Sequence, residues 1–223
     1  MSLTRREASD AVTGLGWRLV LGEVRTRVRV SSFAEGATVA ARVAAACGAA
    51  ADDSLRVDLR PDQVTVSLHA PGARLVTTRE VELAAVVTRA LGADGWPTHP
   101  GPDDPARPVQ LLEIAIDALD IAAVRPFWAA VLGYADEVPG GDALADPDRA
   151  GPTFWFQRMD APRPQRNRIH VDVTVPHDEA DRRVRAALDA GGRLVSDAEA
   201  PAFWVLADVE GNEACVTTWQ GRD

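Results

Sequence analysis

Four polar residues stand at matching points of a weak internal repeat in the second half of the chain: Glu113, Gln157, His170 and Glu213. Glu113 lies 20 residues before Gly133 and His170 lies 21 before Gly191. Gln157 follows Gly133 by 24 residues, and Glu213 follows Gly191 by 22. Two carboxylates, an amide and an imidazole are groups that move protons or offer oxygen and nitrogen donors. Glu213 and Glu113 are the candidate catalytic residues, and the repeat predicts that all four side chains converge on one cavity.

The elements that must position them follow from periodicity. Each repeat reads strand, helix, two short strands and a final strand. The first runs from a strand over Leu111–Asp117 through a helix over Ile121–Leu132 to a strand over Thr153–Met159. The second runs from Ile169–Val175 through a helix over Glu179–Ala190 to Glu213–Thr218. Neither unit buries its sheet alone, so the two must pair. Strand alternation puts Glu113, Ala115 and Asp117 on one face and Ile114 and Ile116 on the other; His170, Asp172 and Thr174 likewise oppose Val171, Val173 and Val175. The polar faces line a cup. Trp128, Trp155, Asp172 and Trp204 are the candidate ligand-pocket residues, with Phe156 and Phe203 as further aromatic walls or core. Arg158, Arg163, Arg166 and Arg168 surround the connection between the repeats, as an anion clamp or as a solvated loop.

The runs LLEIAIDALDIAAVRPFWAAVLGY, FWFQRM, NRIHVDVTV and ADVEGNEACV resemble the vicinal-oxygen-chelate superfamily of glyoxalases, bleomycin resistance proteins and dioxygenases, over about residues 109 to 220. Within it, the Phe127-Trp128 pair on the first helix resembles a glyoxalase-like group. The resemblance implies paired βαβββ modules with a cupped sheet, and it implies Glu113, Gln157, His170 and Glu213 as metal ligands. Such a set would hold a divalent ion of Mn, Fe, Co, Ni or Zn with two positions open, to polarise a substrate oxygen. The pattern departs from glyoxalase I at Glu113, where His or Gln is usual, and at Gln157, where Glu is expected. It departs from the extradiol dioxygenases in having one His where two are needed. Two readings of this half stay open: a metal-assisted lyase or isomerase, and a metal-free binding or resistance protein.

In the first half, Thr4 with Glu7 forms a capping box at the start of a helix. Strands follow over Trp17–Leu21 and Glu23–Val30, the second alternating Val24, Val28 and Val30 against Arg25, Arg27 and Arg29. Ser31 or Ser32 caps a second helix, strands cover Leu55–Leu59 and Val64–Leu68, and Thr77 or Thr78 caps a third helix that Gly92 closes. Leu15-Gly16-Trp17, Ser31-Ser32-Phe33 and VDLRPDQVTVSL resemble the pterin-4a-carbinolamine dehydratase family from Leu3 to Leu91. That implies a four-stranded antiparallel sheet with three helices on one face. The family's catalytic histidines have no counterpart: Asp53-Ser54-Leu55, or Asp52-Asp53-Ser54 with a one-residue shift, falls at the first site and Pro71 at the other, with His69 two residues away. The domain is therefore expected to be a degenerate dehydratase, kept for dimerisation or as a lid, and 4a-hydroxytetrahydrobiopterin dehydration stands as a third function.

The fold class expected for the chain is thus α+β, with a first domain over residues 1–92, a Pro-rich linker over 93–108 and a second domain over 109–223. A net charge of −9 argues against nucleic acid as a partner. No residue is Lys, which excludes a P-loop or Schiff-base lysine. Cys47 and Cys215 form no CxxC pattern and read as buried thiols of a reducing cytoplasm. The polar start and the lack of a membrane-length apolar run predict no signal peptide and no membrane partner. The partners expected are a small-molecule ligand and a second copy of the chain, in a bacterial homodimer.

Overall fold

The structure, a computed structural model, describes residues 1–100, 110–163, 165 and 169–221. The expected linker residues from 101 to 108, and Arg166 and Arg168, lie outside the described residues. The chain divides into two compact units, Met1–Leu111 and Leu112–Asp223.

The first unit is built from α1 (Arg5–Thr13), β1 (Arg18–Val20), β2 (Glu23–Arg29), α2 (Phe33–Cys47), β3 (Leu55–Leu59), β4 (Gln63–His69) and α3 (Thr78–Ala93). Its antiparallel sheet has the order β1-β2-β4-β3. The capping boxes at Thr4 and Thr77, and Ser32 accepting from the Glu35 N–H, start the three helices. Alternation does the rest. Val24, Val28, Val64, Val66 and Leu68 are buried under the helices, while Arg25, Arg27, Thr65 and Ser67 share the other face. Trp17 is fully buried and spends its indole N–H on Thr88 Oγ1 at 2.9 Å.

The described part of the expected linker belongs to this unit. Trp96 donates to Glu35 Oε1 at 2.9 Å, Thr98 Oγ1 donates to the Leu15 carbonyl at 2.7 Å, and His99 exchanges backbone hydrogen bonds with Arg27 at 2.8 and 2.9 Å. Prolines break regular structure, but they do not stop irregular chain from packing. Gly16 permits the approach: its φ is +79°, and a Cβ there would stand 2.3 Å from the Thr98 carbonyl oxygen.

Glu35 carries a pH signature. The Ser31 hydroxyl and backbone N–H and the Trp96 indole hold its carboxyl at about 2, against an ordinary 4.5. A depressed carboxyl stabilises the fold above its unfolded pKa, and that contribution is lost as pH falls toward the folded value. Glu35→Gln should therefore flatten the part of the acid-unfolding curve between about pH 4.5 and 2, followed by circular dichroism. An unchanged curve would remove Trp96 and Ser31 from the account of the segment's docking.

The second unit is built from β5 (Glu113–Ala118), α4 (Ile121–Leu132), β6 (Ala135–Asp136), β7 (Ala143–Ala145), β8 (Thr153–Arg158), β9 (Val171–Thr174), α5 (Ala180–Asp189), β10 (Arg193–Ser196), β11 (Phe203–Ala207) and β12 (Glu213–Thr217). The two expected βαβββ modules are both present. Their sheets have the orders β5-β8-β7-β6 and β10-β11-β12-β9, with β5 parallel to β8 and β9 parallel to β12. Asp120 caps α4, and Gly133 ends it in the left-handed region. One core joins the modules: Val124, Phe127, Trp128 and Val131 of α4 pack with Phe154, Leu206 and Val216. Among the described residues no helix is long and apolar enough to cross a membrane.

Candidate functional site

Parity places Glu113, Ala115 and Asp117 of β5 on the open face, with Ile116 and Ala118 buried beneath. Register then decides who meets whom. Glu113 pairs with Thr153, Ala115 with Trp155, and Asp117 with Gln157. Gln157 is therefore four residues along the ladder from Glu113, an offset of about 13 Å at the usual rise per residue. The repeat predicts convergence of these two on one cavity; the parallel register separates them along the strands. In the second module Val171 pairs with Ala214 and Asp172 with Cys215. The same register carried back one residue sets Glu213 beside His170.

A cavity of about 660 Å³ lies at the outer strands β5 and β9. Ile114, Ile116, Ile169 and Val171 give it apolar walls, with Trp128 and Met159. Its polar groups are Asp117, Glu210, Asn212, Glu213, Gln165 and Arg163. Arg163 is paired with Asp117 at 2.8 Å. Of the residues singled out from the sequence, Trp128, Glu213 and Arg163 line this cavity, whereas Glu113, His170, Asp172 and Trp155 do not. Gln157 lines a neighbouring hollow that shares Asp117 and Arg163 with the cavity, together with Arg158.

The aromatic wall also differs from expectation. Trp204 pairs with Val216 and packs with the apolar core, because its neighbours Phe203 and Val205 take the open face. Trp155 is on the open face and half-buried. Trp128 is 2% exposed, a core residue whose edge reaches the cavity.

What holds the Glu-Gly-Asn-Glu turn is Asp208, a residue the sequence reading passed over. It is fully buried and accepts from the Glu210 and Asn212 backbone N–H groups, each at 2.9 Å, from Asn212 Nδ2 at 2.8 Å and from Trp128 Nε1 at 3.0 Å. Glu210 in turn accepts from the Leu119 and Asp120 N–H groups at 2.8 and 2.7 Å, which fixes the start of α4 against the second module. The visible signal was an Asp three residues before a Gly, a side chain that bonds its own following backbone.

Cys215 is the second residue missed. It reads from the sequence as a buried thiol and is buried, and two-residue alternation from Glu213 puts it on the face that carries His170 and Asp172. Its sulfur, His170 and an Asp172 carboxylate oxygen lie within 4.8 Å of one another. His170 Nε2 is 3.3 Å from Asp172 Oδ1. Among the described residues this is the one cluster of three or more His, Cys, Asp and Glu side chains placed to hold a metal ion, and neither Glu113 nor Glu213 joins it.

No curated protein matches the chain. Solved structures similar to it include a glyoxalase/bleomycin resistance/dioxygenase family enzyme from Burkholderia phytofirmans (18% identity, 48% of this chain and 95% of that one, TM-score 0.37). A fosfomycin resistance protein from Listeria monocytogenes is similar at 13% identity, over 50% of this chain and 92% of that one, with TM-score 0.40. A glyoxalase/dioxygenase from Nostoc punctiforme is similar at 18% identity, over 49% and 90%, with TM-score 0.38. Residues 113–217 match the family model described as a glyoxalase-like domain, so the second unit carries a domain of that kind over just under half of the chain.

Proposed function

We propose that the second unit binds a small, largely apolar molecule bearing a basic or hydrogen-donating group, in the cavity at β5 and β9. The observation that carries this reading is the lining: apolar walls from Ile114, Ile116, Leu119, Ile169, Val171 and Val209, with three carboxylates and one guanidinium among the polar groups. Ligand sites are typically apolar with a few convergent polar groups, and an excess of carboxylates favours a cationic partner. Glu213 is the proposed proton-transfer group within the cavity; Glu113 sits next to the lining residue Ile114 and is the second candidate. A melting-shift screen with matched amines and carboxylates tests the charge preference. An amine held at a hundredfold its Kd should stabilise the unit by about 2.7 kcal/mol, and its carboxylate isostere should not. Equal stabilisation by both would remove the reading.

A metal-assisted lyase or isomerase is the second reading, supported by the His170, Asp172 and Cys215 cluster. Its strand neighbours Ile169, Val171 and Glu213 line the cavity. The donor set of one imidazole, one carboxylate and one thiol fits a divalent ion, which would supply Lewis acidity toward a bound oxygen. Glu213 would then be placed to take or return a proton.

For the first unit we propose a pterin-dehydratase-like domain without dehydratase activity, in a cytoplasmic homodimer. Asp53, at the position matching a family histidine, is paired with Arg79 at 2.8 Å, and the Arg79 hydrogen bond holds its carboxyl below the usual range. Ser54 is fully buried. A paired carboxylate and a buried hydroxyl replace the imidazoles that would shuttle protons near neutral pH. The purified chain should leave 4a-hydroxytetrahydropterin dehydrating at its spontaneous rate. A rate enhancement lost on Asp53→Ala would restore the dehydratase function.

A further inference from the structure

We propose that His170, Asp172 and Cys215 form a thiolate-containing divalent-metal site carried by the second module alone. It shares only His170 with the four ligands that the family resemblance implies, and Glu113, Gln157 and Glu213 take no part in binding the ion. The proposal does not depend on what occupies the cavity.

The geometry comes from the strand pairing. β9 and β12 run parallel, and Asp172 stands directly beside Cys215. His170 precedes Asp172 by two residues, so its side chain rises from the same face. The imidazole and carboxylate are 52% and 56% exposed, free to reorient at small cost, whereas Cys215 is 6% exposed on a strand of the core. A four-coordinate ion with bonds of about 2.0–2.3 Å to N, O and S has ligand-to-ligand edges of roughly 3.3–3.6 Å. The His170–Asp172 edge is already 3.3 Å. The sulfur lies within 4.8 Å of an imidazole nitrogen and of an Asp172 oxygen, so closing the two sulfur edges needs movement of at most about 1–1.5 Å. Three protein ligands leave the fourth position open on the exposed side of the sheet. That is the arrangement of a centre able to take water or a substrate oxygen. A thiolate in the set strengthens the preference for zinc, cobalt or cadmium over magnesium or manganese. The competing account is a plain His–Asp hydrogen bond beside a buried thiol.

Titrating the reduced full chain with cobalt(II) chloride, with zinc(II) and manganese(II) as competitors, separates them. The proposal predicts one cobalt ion per chain, a near-ultraviolet thiolate-to-cobalt charge-transfer band, displacement by zinc and none by manganese. Cys215→Ser should abolish the band and Cys47→Ser should keep it. Since Cys215 is buried and its replacement can disturb folding, the exposed substitutions His170→Gln and Asp172→Asn provide the second arm. Each should weaken cobalt binding by about tenfold or more with an unchanged circular dichroism spectrum. Glu113→Gln and Glu213→Gln should alter affinity by less than about twofold. No cobalt uptake, binding without the charge-transfer band, a band that survives Cys215→Ser, or loss of uptake on Glu113→Gln would each overturn the proposal.

Discussion

Asp208→Ala is expected to destabilise the second unit by about 3–5 kcal/mol, a large share of an ordinary domain's stability. The carboxylate is fully buried and takes four hydrogen bonds. Removing it strands the Trp128 indole N–H and two backbone N–H groups in the interior. An unsatisfied buried donor costs about 1–3 kcal/mol. The turn would also release Glu210, and with it the two N–H groups at the start of α4 that Glu210 accepts. Asp208→Asn keeps one acceptor oxygen but points an amide N–H₂ at donors, so it should fall between wild type and alanine. Urea unfolding, followed by tryptophan fluorescence, reads both. A loss below about 1 kcal/mol for the alanine variant would mean that the turn is held by its backbone alone.

Glu23→Ala should have the next largest effect, about 2–4 kcal/mol in the first unit. Glu23 is 4% exposed, with Arg25 Nε at 2.7 Å from one oxygen and Arg56 Nη2 at 2.5 Å from the other. Breaking a buried pair leaves uncompensated charge, and here it leaves two guanidinium groups whose strands β2 and β3 flank β4. Part of the loss is recovered because the arginines are 22% and 27% exposed and can turn toward water. Glu23→Gln, which retains acceptor capacity, should cost less. Destabilisation that disappears in high salt would show a screened surface pair instead.

The caps, the two-residue alternation and the helix ends were all readable from the sequence. Thr4, Thr77 and Gly133 act locally, and a local rule sees them. So did the face of each strand: Glu113 with Asp117, and His170 with Asp172, stand on the open side as alternation requires. Register was not readable. A parallel pairing is set by how the crossover helix packs, so Gln157 stands beside Asp117 and not at the level of Glu113. Asp208 and Cys215 were hidden for a different reason. Each is an ordinary residue type whose role exists only once a second chain segment, distant in sequence, meets it. In residues 94–100 the prolines signal irregular chain, and Trp96 and Thr98 have partners in α2 and the turn before β1.

The central claim is that the cavity at β5 and β9 is where the second unit binds its small molecule. The chain has four isoleucines, Ile114, Ile116, Ile121 and Ile169, all in the second unit. Three of them line the cavity, and Ile121 does not. Isoleucine methyl spectra of the labelled full chain, recorded with the strongest amine from the melting screen, therefore map occupancy with an internal control. The account predicts shifts at Ile114, Ile116 and Ile169 that saturate together, with Ile121 unmoved. Saturable binding that leaves all three lining methyls in place would contradict it.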